Sequence, residues 1–327
     1  MPTTTERTEV FRAASALMPE LAPACNRPVA EVGGPADATA WSYDGAFARN
    51  RGLVSPEEQQ ILRRARIAIA GMGGVGGVHL LTLARLGIGR FTIADPDTFE
   101  VANFNRQAGA STATLGRGKA EVMAEQVRAI NPELEIDVIH DVVGRHNIDD
   151  FFAGADLFID GVDFFSIEAR RLLFGEARRR GLWAITAGPI GFSTGWLSFD
   201  PRGMSFDRYF DLNDRQSHID QVIAFAVGLT PRATHLKYLD LSQVNLAERR
   251  GPSVGASCQL ASGMAATEAV KILLCRGKVR PAPYYAQFDA YRGILRRGRL
   301  TFGNRHPLQR LKRKMLHARA QSLGLFQ

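Results

Sequence analysis

The stretch Gly71-Met72-Gly73-Gly74-Val75-Gly76-Gly77 constrains this chain more than any other. It stands between a short apolar run, Arg66-Ile67-Ala68-Ile69-Ala70, and a segment from Val75 to Leu86 with helical spacing of its apolar residues. Glycines at the end of a strand let the backbone turn sharply and approach phosphate oxygens, and the following helix N-terminus supplies unpaired N–H groups. A structural βα turn can carry the same G-x-G-x-x-G spacing, so the context decides. A second strand, Arg90 to Asp95, ends on an acidic residue 24 positions after Gly71, where a carboxylate accepts hydrogen bonds from ribose hydroxyls. Nucleotide binding is therefore expected.

The alternation of strand and helix continues. Ser55-Pro56-Glu57-Glu58 has the form of a capping box and starts a helix to Arg64. Lys119 to Ile130 reads as a helix closed by Asn131-Pro132, Glu135 to His140 as a third strand and Ala155 to Asp160 as a fourth. Ser166 to Arg180 reads as a cationic surface helix and Leu182 to Thr186 as a fifth strand. This order predicts an α/β fold, a doubly wound and mostly parallel Rossmann-like sheet, with an irregular C-terminal portion. In that portion Gly195 to Phe199 reads as an edge strand, 200–252 as weakly patterned turns, 257–274 as a helix and 284–293 as a last strand. Residues 1–40 read as a loosely structured extension, 41–293 as the nucleotide-binding domain and 294–327 as a basic tail.

Spacing alone suggests NAD, and a dehydrogenase is the rival reading. Charge favours ATP, whose phosphates carry more negative charge and call for cations and Mg²⁺. Asn103-Phe104-Asn105-Arg106-Gln107 and Gly116-Arg117-Gly118-Lys119 supply an Arg and a Lys soon after Asp95. Either residue alone reads as a surface charge; together they read as phosphate ligands. No G-x-x-x-x-G-K-[ST] motif is present.

In combination these motifs resemble the ThiF/MoeB/HesA family, bacterial relatives of ubiquitin-activating enzymes: Gly71, Gly73, Gly74 and Gly76, then Asp95-Pro96-Asp97, then Asn103 with Arg106-Gln107, then Lys119, then Asp163. The resemblance implies a dimeric enzyme that binds ATP and Mg²⁺ and adenylates a carboxylate, usually a protein's C-terminal glycine, and the donor expected here is the C-terminus of a ubiquitin-like protein or a peptide. It implies that Asp95 holds the ribose, that Asn103, Arg106 and Lys119 contact phosphates, and that Asp163 positions Mg²⁺. Arg49, with Arg51 as competitor, matches an arginine that reaches into the partner subunit's site. The chemistry is self-consistent: cations offset the repulsion between carboxylate and phosphate, and an ionised carboxylate needs no general base. His140, His146, His218 and His235 accordingly read as solvent-facing or structural.

Two departures from the family pattern narrow the expectation. No pair of C-x-x-C motifs is present, so no structural zinc is expected. Residues 190–252 contain no cysteine, so no thioester intermediate is expected there; Cys258 reads as a small core residue. The stretch Asn103 to Pro132 also resembles the tRNA threonylcarbamoyladenosine dehydratases of the same family, which activate a carboxyl on a tRNA nucleoside. Beyond Asp289 the chain has no Asp or Glu and ten Lys or Arg, more than the whole net charge of +8, which suits a tRNA partner. A non-catalytic nucleotide-binding module is the reading from another class. With no long apolar segment and no secretory signal, a cytoplasmic protein without a membrane partner is expected.

Overall fold

The computed structural model describes residues 40–245 and 248–322, so the expectation for the N-terminal extension lies outside the described residues up to position 39. Helix α1 (Pro56–Arg64) starts as its sequence dictates: Ser55 Oγ accepts the Glu58 amide at 3.2 Å, and Glu58 Oε2 accepts the Ser55 amide at 2.8 Å. Then β1 (Arg66–Ala70), α2 (Gly76–Arg85), β2 (Arg90–Ala94), α3 (Lys119–Ile130), β3 (Glu135–Ile139), β4 (Leu157–Asp160), α4 (Ile167–Arg179) and β5 (Trp183–Ile190) follow. These five strands are parallel, in the order β3-β2-β1-β4-β5. Successive residues of β1 face opposite layers. Ile67 and Ile69 pack with α2, α3 and a later alanine-rich helix, α6 (Gly255–Leu273), whereas Ala68 and Ala70 face a phenylalanine-rich layer containing Phe151, Phe158, Phe174 and Phe225.

The chain leaves β3 at one edge and re-enters at β4 on the other side of β1, so the strand order reverses between β1 and β4. Such a switch point opens a crevice at the carboxyl ends of the two strands. Two backbones meet there: a Cβ on Gly71 would fall 2.2 Å from the Gly161 carbonyl oxygen, and one on Gly76 would fall 1.8 Å from the Gly71 carbonyl oxygen. No other residue type fits those two places without moving a backbone.

The C-terminal portion is more regular than its sequence suggests. The segment expected as an edge strand is β6 (Ser193–Phe199), interior to the sheet and buried at all seven positions, because β7 (Tyr284–Asp289) covers its outer side. Residues 200–252 hold a short helix at Phe206–Phe210 and α5 (His218–Leu229). Helix α5 is apolar nearly all round and buried, so it shows no amphipathic stripe. Beyond residue 293 the chain is not a loose tail in the described region. It adds β8 (Ile294–Arg299) to the sheet and ends in α7 (Pro307–Ser322) against α5. Polar contacts rather than an apolar stripe hold this part: Asn304 Nδ2 donates to the Phe210 and Ala224 carbonyls at 3.0 and 2.7 Å, and Lys312 Nζ to the Pro231 carbonyl at 2.6 Å. No described helix is long and apolar enough to cross a membrane.

Candidate functional site

A cavity of about 1150 Å³ opens at the switch point, and its wall brings together ten of the residues singled out from sequence: Gly71, Gly73, Gly74, Asp95, Asp97, Asn103, Arg106, Gln107, Lys119 and Asp163. Gly76 lies behind the wall as a packing residue.

Asp95 ends β2 buried, and both its oxygens grip backbone: Oδ2 accepts the Met72 amide at 2.6 Å and Oδ1 the Asp97 amide at 2.9 Å. Burial pushes its carboxyl up, and the two amides oppose that. Asp95 thus fixes the glycine loop, and each oxygen keeps a further lone pair for a sugar hydroxyl. Lys119, the first residue of α3, is not a surface charge. It is 7% exposed, and its Nζ sits 2.8 Å from Asp97 Oδ2. Asp97 also accepts the Lys119 amide on its carbonyl at 2.8 Å, so the start of α3 and the acidic loop are one unit.

Asn103, Arg106 and Gln107 come from the turn facing the glycines. Asn103 is buried, and its Oδ1 accepts the Glu100 amide at 3.0 Å, shaping that turn. The half-buried Arg106 donates through Nη1 to the Ala102 carbonyl at 2.8 Å and to Asn105 Oδ1 at 3.0 Å. Its stem lies against Gly74, where an added Cβ would come within 3.4 Å of it. Gln107 is buried with its Oε1 unpartnered, and its Nε2 is the nearest atom to an added Cβ on Gly73, at 3.7 Å. The glycine cradle therefore opens towards the Gln107 side-chain amide, whose Nε2 is a donor suited to a phosphate oxygen, whereas its Oε1 is an acceptor that a phosphate cannot satisfy.

Asp163 stands exposed in the loop after β4, with Oδ1 accepting the Phe165 amide at 3.0 Å. Sequence reasoning missed what holds this loop. The buried Arg170 of α4 donates through Nε to Asp160 Oδ2 at 2.8 Å, through Nη1 to the Asp163 and Phe164 carbonyls at 2.7 and 3.0 Å, and through Nη2 to the Val162 carbonyl. Thr186 Oγ1 also donates to Asp160 Oδ2, at 2.7 Å. The signal was a buried-strand aspartate ten residues before an arginine on the next helix. Among the described residues no three His, Cys, Asp or Glu side chains cluster as a metal site. Mg²⁺ bound with nucleotide commonly takes only one or two carboxylates beside phosphates and water, and Asp163 fits that pattern.

Arg49 is exposed in a turn at Ala48–Asn50, away from the cavity wall; Arg51, also exposed, borders a separate depression near Asp44 and Ser55. Cys258, at the start of α6, is buried in the cavity wall beside Gly74, and burial pushes its thiol up while Arg106 opposes the shift. Past the polar end, the cavity runs into an apolar lobe between Ile190 of β5, Val222 and Phe225 of α5, Leu236, and Leu316 of α7. His235 is buried in the wall of this lobe. None of this lobe was anticipated, since most of it comes from the weakly patterned and tail segments.

A family model described as the ThiF family matches residues 47–310. The chain belongs to the ThiF family. The tRNA threonylcarbamoyladenosine dehydratase of Haemophilus influenzae is 36% identical over 154 residues, 47% of this chain and 58% of that protein. The SAMP-activating enzyme E1 of Haloferax volcanii is 33% identical over 129 residues, 39% of this chain and 47% of that protein. The chain thus spans about half the length of the curated relatives it matches. A crystal structure of PaaA has the same fold, with a TM-score of 0.60 at 16% identity, covering 91% of this chain and 83% of that one.

Proposed function

We propose that this ThiF-family chain uses ATP to convert a carboxylate into an acyl adenylate. The observation that carries the reading is the buried Lys119, held by Asp97 in the wall of the cavity that also contains the glycine loop, Arg106 and Asp163. A buried cation in the wall of the same cavity as a glycine loop suits the charge of a triphosphate better than that of a dinucleotide pyrophosphate. In this reading Asp95 meets the ribose, Lys119, Arg106, Asn103 and Gln107 meet the phosphates, and Asp163 holds Mg²⁺, which when bound offsets phosphate charge. The chain's own part is to orient the phosphates and to leave the carboxylate oxygen in line with the α-phosphorus.

The carboxyl donor favoured by the dehydratase relatives is one carried by tRNA. A ubiquitin-like C-terminus is the second reading, favoured by the likeness to an E1. Exchange of labelled pyrophosphate into ATP, run with unfractionated bacterial tRNA and with peptides bearing free C-termini, tests both donors. Lys119→Ala is expected to slow exchange about a hundredfold or more, the usual cost of one charge-stabilising contact. Near wild-type exchange by Lys119→Ala overturns the assignment. The exposed Arg49 suits a homodimer in which it serves the partner's site. Equal mixing of inactive Lys119→Ala and Arg49→Ala protomers should then restore about a quarter of wild-type exchange by random pairing.

A further inference from the structure

The end of the sheet that carries the nucleotide cavity also presents an aromatic cluster, and adenylation accounts for none of it. Phe192 lies in the turn between β5 and β6, Tyr291 in the turn between β7 and β8, and Tyr238 directly after the turn Thr234–Lys237. The Phe192 and Tyr291 rings stack, with centroids 5.7 Å apart and planes 22° from parallel, and the Tyr238 ring stands 4.8 Å from that of Tyr291. Phe192 is 43% exposed and Tyr291 68%. Hydrogen bonds fix the three positions. Tyr238 Oη accepts the Phe192 amide at 3.0 Å and donates to Asp289 Oδ1 at 3.4 Å, and the same Oδ1 accepts the Arg292 amide at 3.1 Å. The Ala290 amide donates to the Phe192 carbonyl at 3.2 Å, which ties the two turns to each other. Gly191 has a φ of +59°, and a Cβ there would fall 2.9 Å from the Tyr238 ring. Gly191, Leu236 and Leu239 line the cavity, so the cluster adjoins its rim.

Exposed rings held this firmly meet a stacking ligand with little ordering cost. Charge decides which ligand. Lys237 and Arg292 are chain neighbours of Tyr238 and Tyr291, both are exposed, and neither is in an ion pair among the described residues. Arg296 lies opposite Gln287 in the β7–β8 register and shares its face, where Gln287 Nε2 donates to Thr234 Oγ1 at 2.7 Å at the start of the turn that leads to Tyr238. Asp240, the next acid along the chain from Tyr238, spends its Oδ1 on the Ser242 amide at 3.0 Å. Ring faces flanked by unpaired cations suit a ligand with flat π surfaces on an anionic backbone: its bases stack and its phosphates meet the cations. A duplex offers no such surface, because its bases already stack on one another. We propose that Phe192, Tyr238 and Tyr291 form a stacking platform for unpaired bases of an RNA, with Lys237, Arg292 and Arg296 on its phosphates, which holds an RNA-borne carboxyl at the mouth of the cavity. The inference rests on the reading of tRNA as carboxyl donor and deepens it, since it names what is gripped: a single-stranded loop or end, not a helix.

Fluorescence anisotropy on the full chain, without ATP, tests the platform directly. A labelled single-stranded RNA of mixed sequence is expected to bind about tenfold or more tightly than the same RNA annealed to its complement. Tyr291→Ala and Phe192→Ala should each weaken single-strand binding about tenfold, the lower range for losing one stacked base, and Tyr291→Trp should keep it. The ring variants should leave the slope of log affinity against log salt unchanged. Changing Lys237 and Arg292 together to Ser should make that slope shallower by about 1.4, for two phosphate contacts to a single strand. That split separates stacking from a merely charged surface. Duplex bound as tightly as single strand, or wild-type RNA affinity when Phe192 and Tyr291 are both Ala, overturns the platform. Single-stranded DNA bound more tightly than RNA overturns the assignment to RNA. Ring variants that lose pyrophosphate exchange with peptides while keeping RNA affinity give the surface to a peptide instead. RNA binding that depends on the rings, in a chain that exchanges pyrophosphate with no donor, removes the adenylation reading and leaves the platform standing.

Discussion

His79 of α2 is fully buried, and neither ring nitrogen has a partner, so burial pulls its pKa down to about 3. The unfolded chain binds a proton at this site below about 6.5, while the folded chain stays neutral until about 3. Stability therefore falls as pH drops through that window, by about 1.4 kcal/mol per pH unit from this site alone. His79→Leu should flatten the loss between pH 6.5 and 5, read from urea midpoints; an unchanged slope would show that other groups set acid sensitivity. At the same scale, Gly76 is legible as a glycine but not for its cause. In the motif it looks like a ligand contact, whereas in the fold it is the point where α2 crosses the Gly71 carbonyl. Gly76→Ala should cost at least about 2 kcal/mol by overpacking, measured by chemical denaturation, and should do so without ligand.

Elements carried very different amounts of information. The first five strands and their helices were readable because each has the period of its own structure and a punctuating glycine, proline or cap, as at Ser55 and Asn131. Residues from α5 onward were not. Helix α5 is buried nearly all round beyond its first turn, so periodicity has little to report, and α7 is anchored by hydrogen bonds from side chains that hydropathy counts as solvent-loving. The candidate site divides along the same line. Its nucleotide end lies in the readable half as contiguous motifs, whereas the apolar lobe of Phe225, Leu236 and Leu316 forms only once segments distant in the chain are side by side. Asn304 tests the anchoring directly. Asn304→Ala would strand the buried Phe210 and Ala224 carbonyls, and a loss of about 2 kcal/mol in a denaturant titration is expected. A change below a few tenths would show that apolar packing alone holds α7.

For the whole molecule, the surplus of positive charge belongs to folded elements, so its role is tested by substitution and not by truncation. Arg296, Arg297, Arg310 and Lys314 are exposed, and changing all four to Ser leaves the described packing intact. If they meet nucleic acid, tRNA binding should weaken and the slope of log affinity against log salt should become shallower by up to about 3, as fewer counterions are released. An unchanged slope removes those four residues from any such surface.

The same strand invites another consequence. Among the described residues β8 is the last strand of an eight-stranded sheet, and none of them pairs with its outer edge, which offers its backbone groups to a neighbouring chain. Exposed arginines at 296, 297 and 299 surround that edge with like charge. Two copies approaching edge to edge would repel before their amides and carbonyls could pair. On this view the strand's charge is a colloidal safeguard, and neutralising it would shorten the shelf life of concentrated solutions before it altered anything inside the cavity.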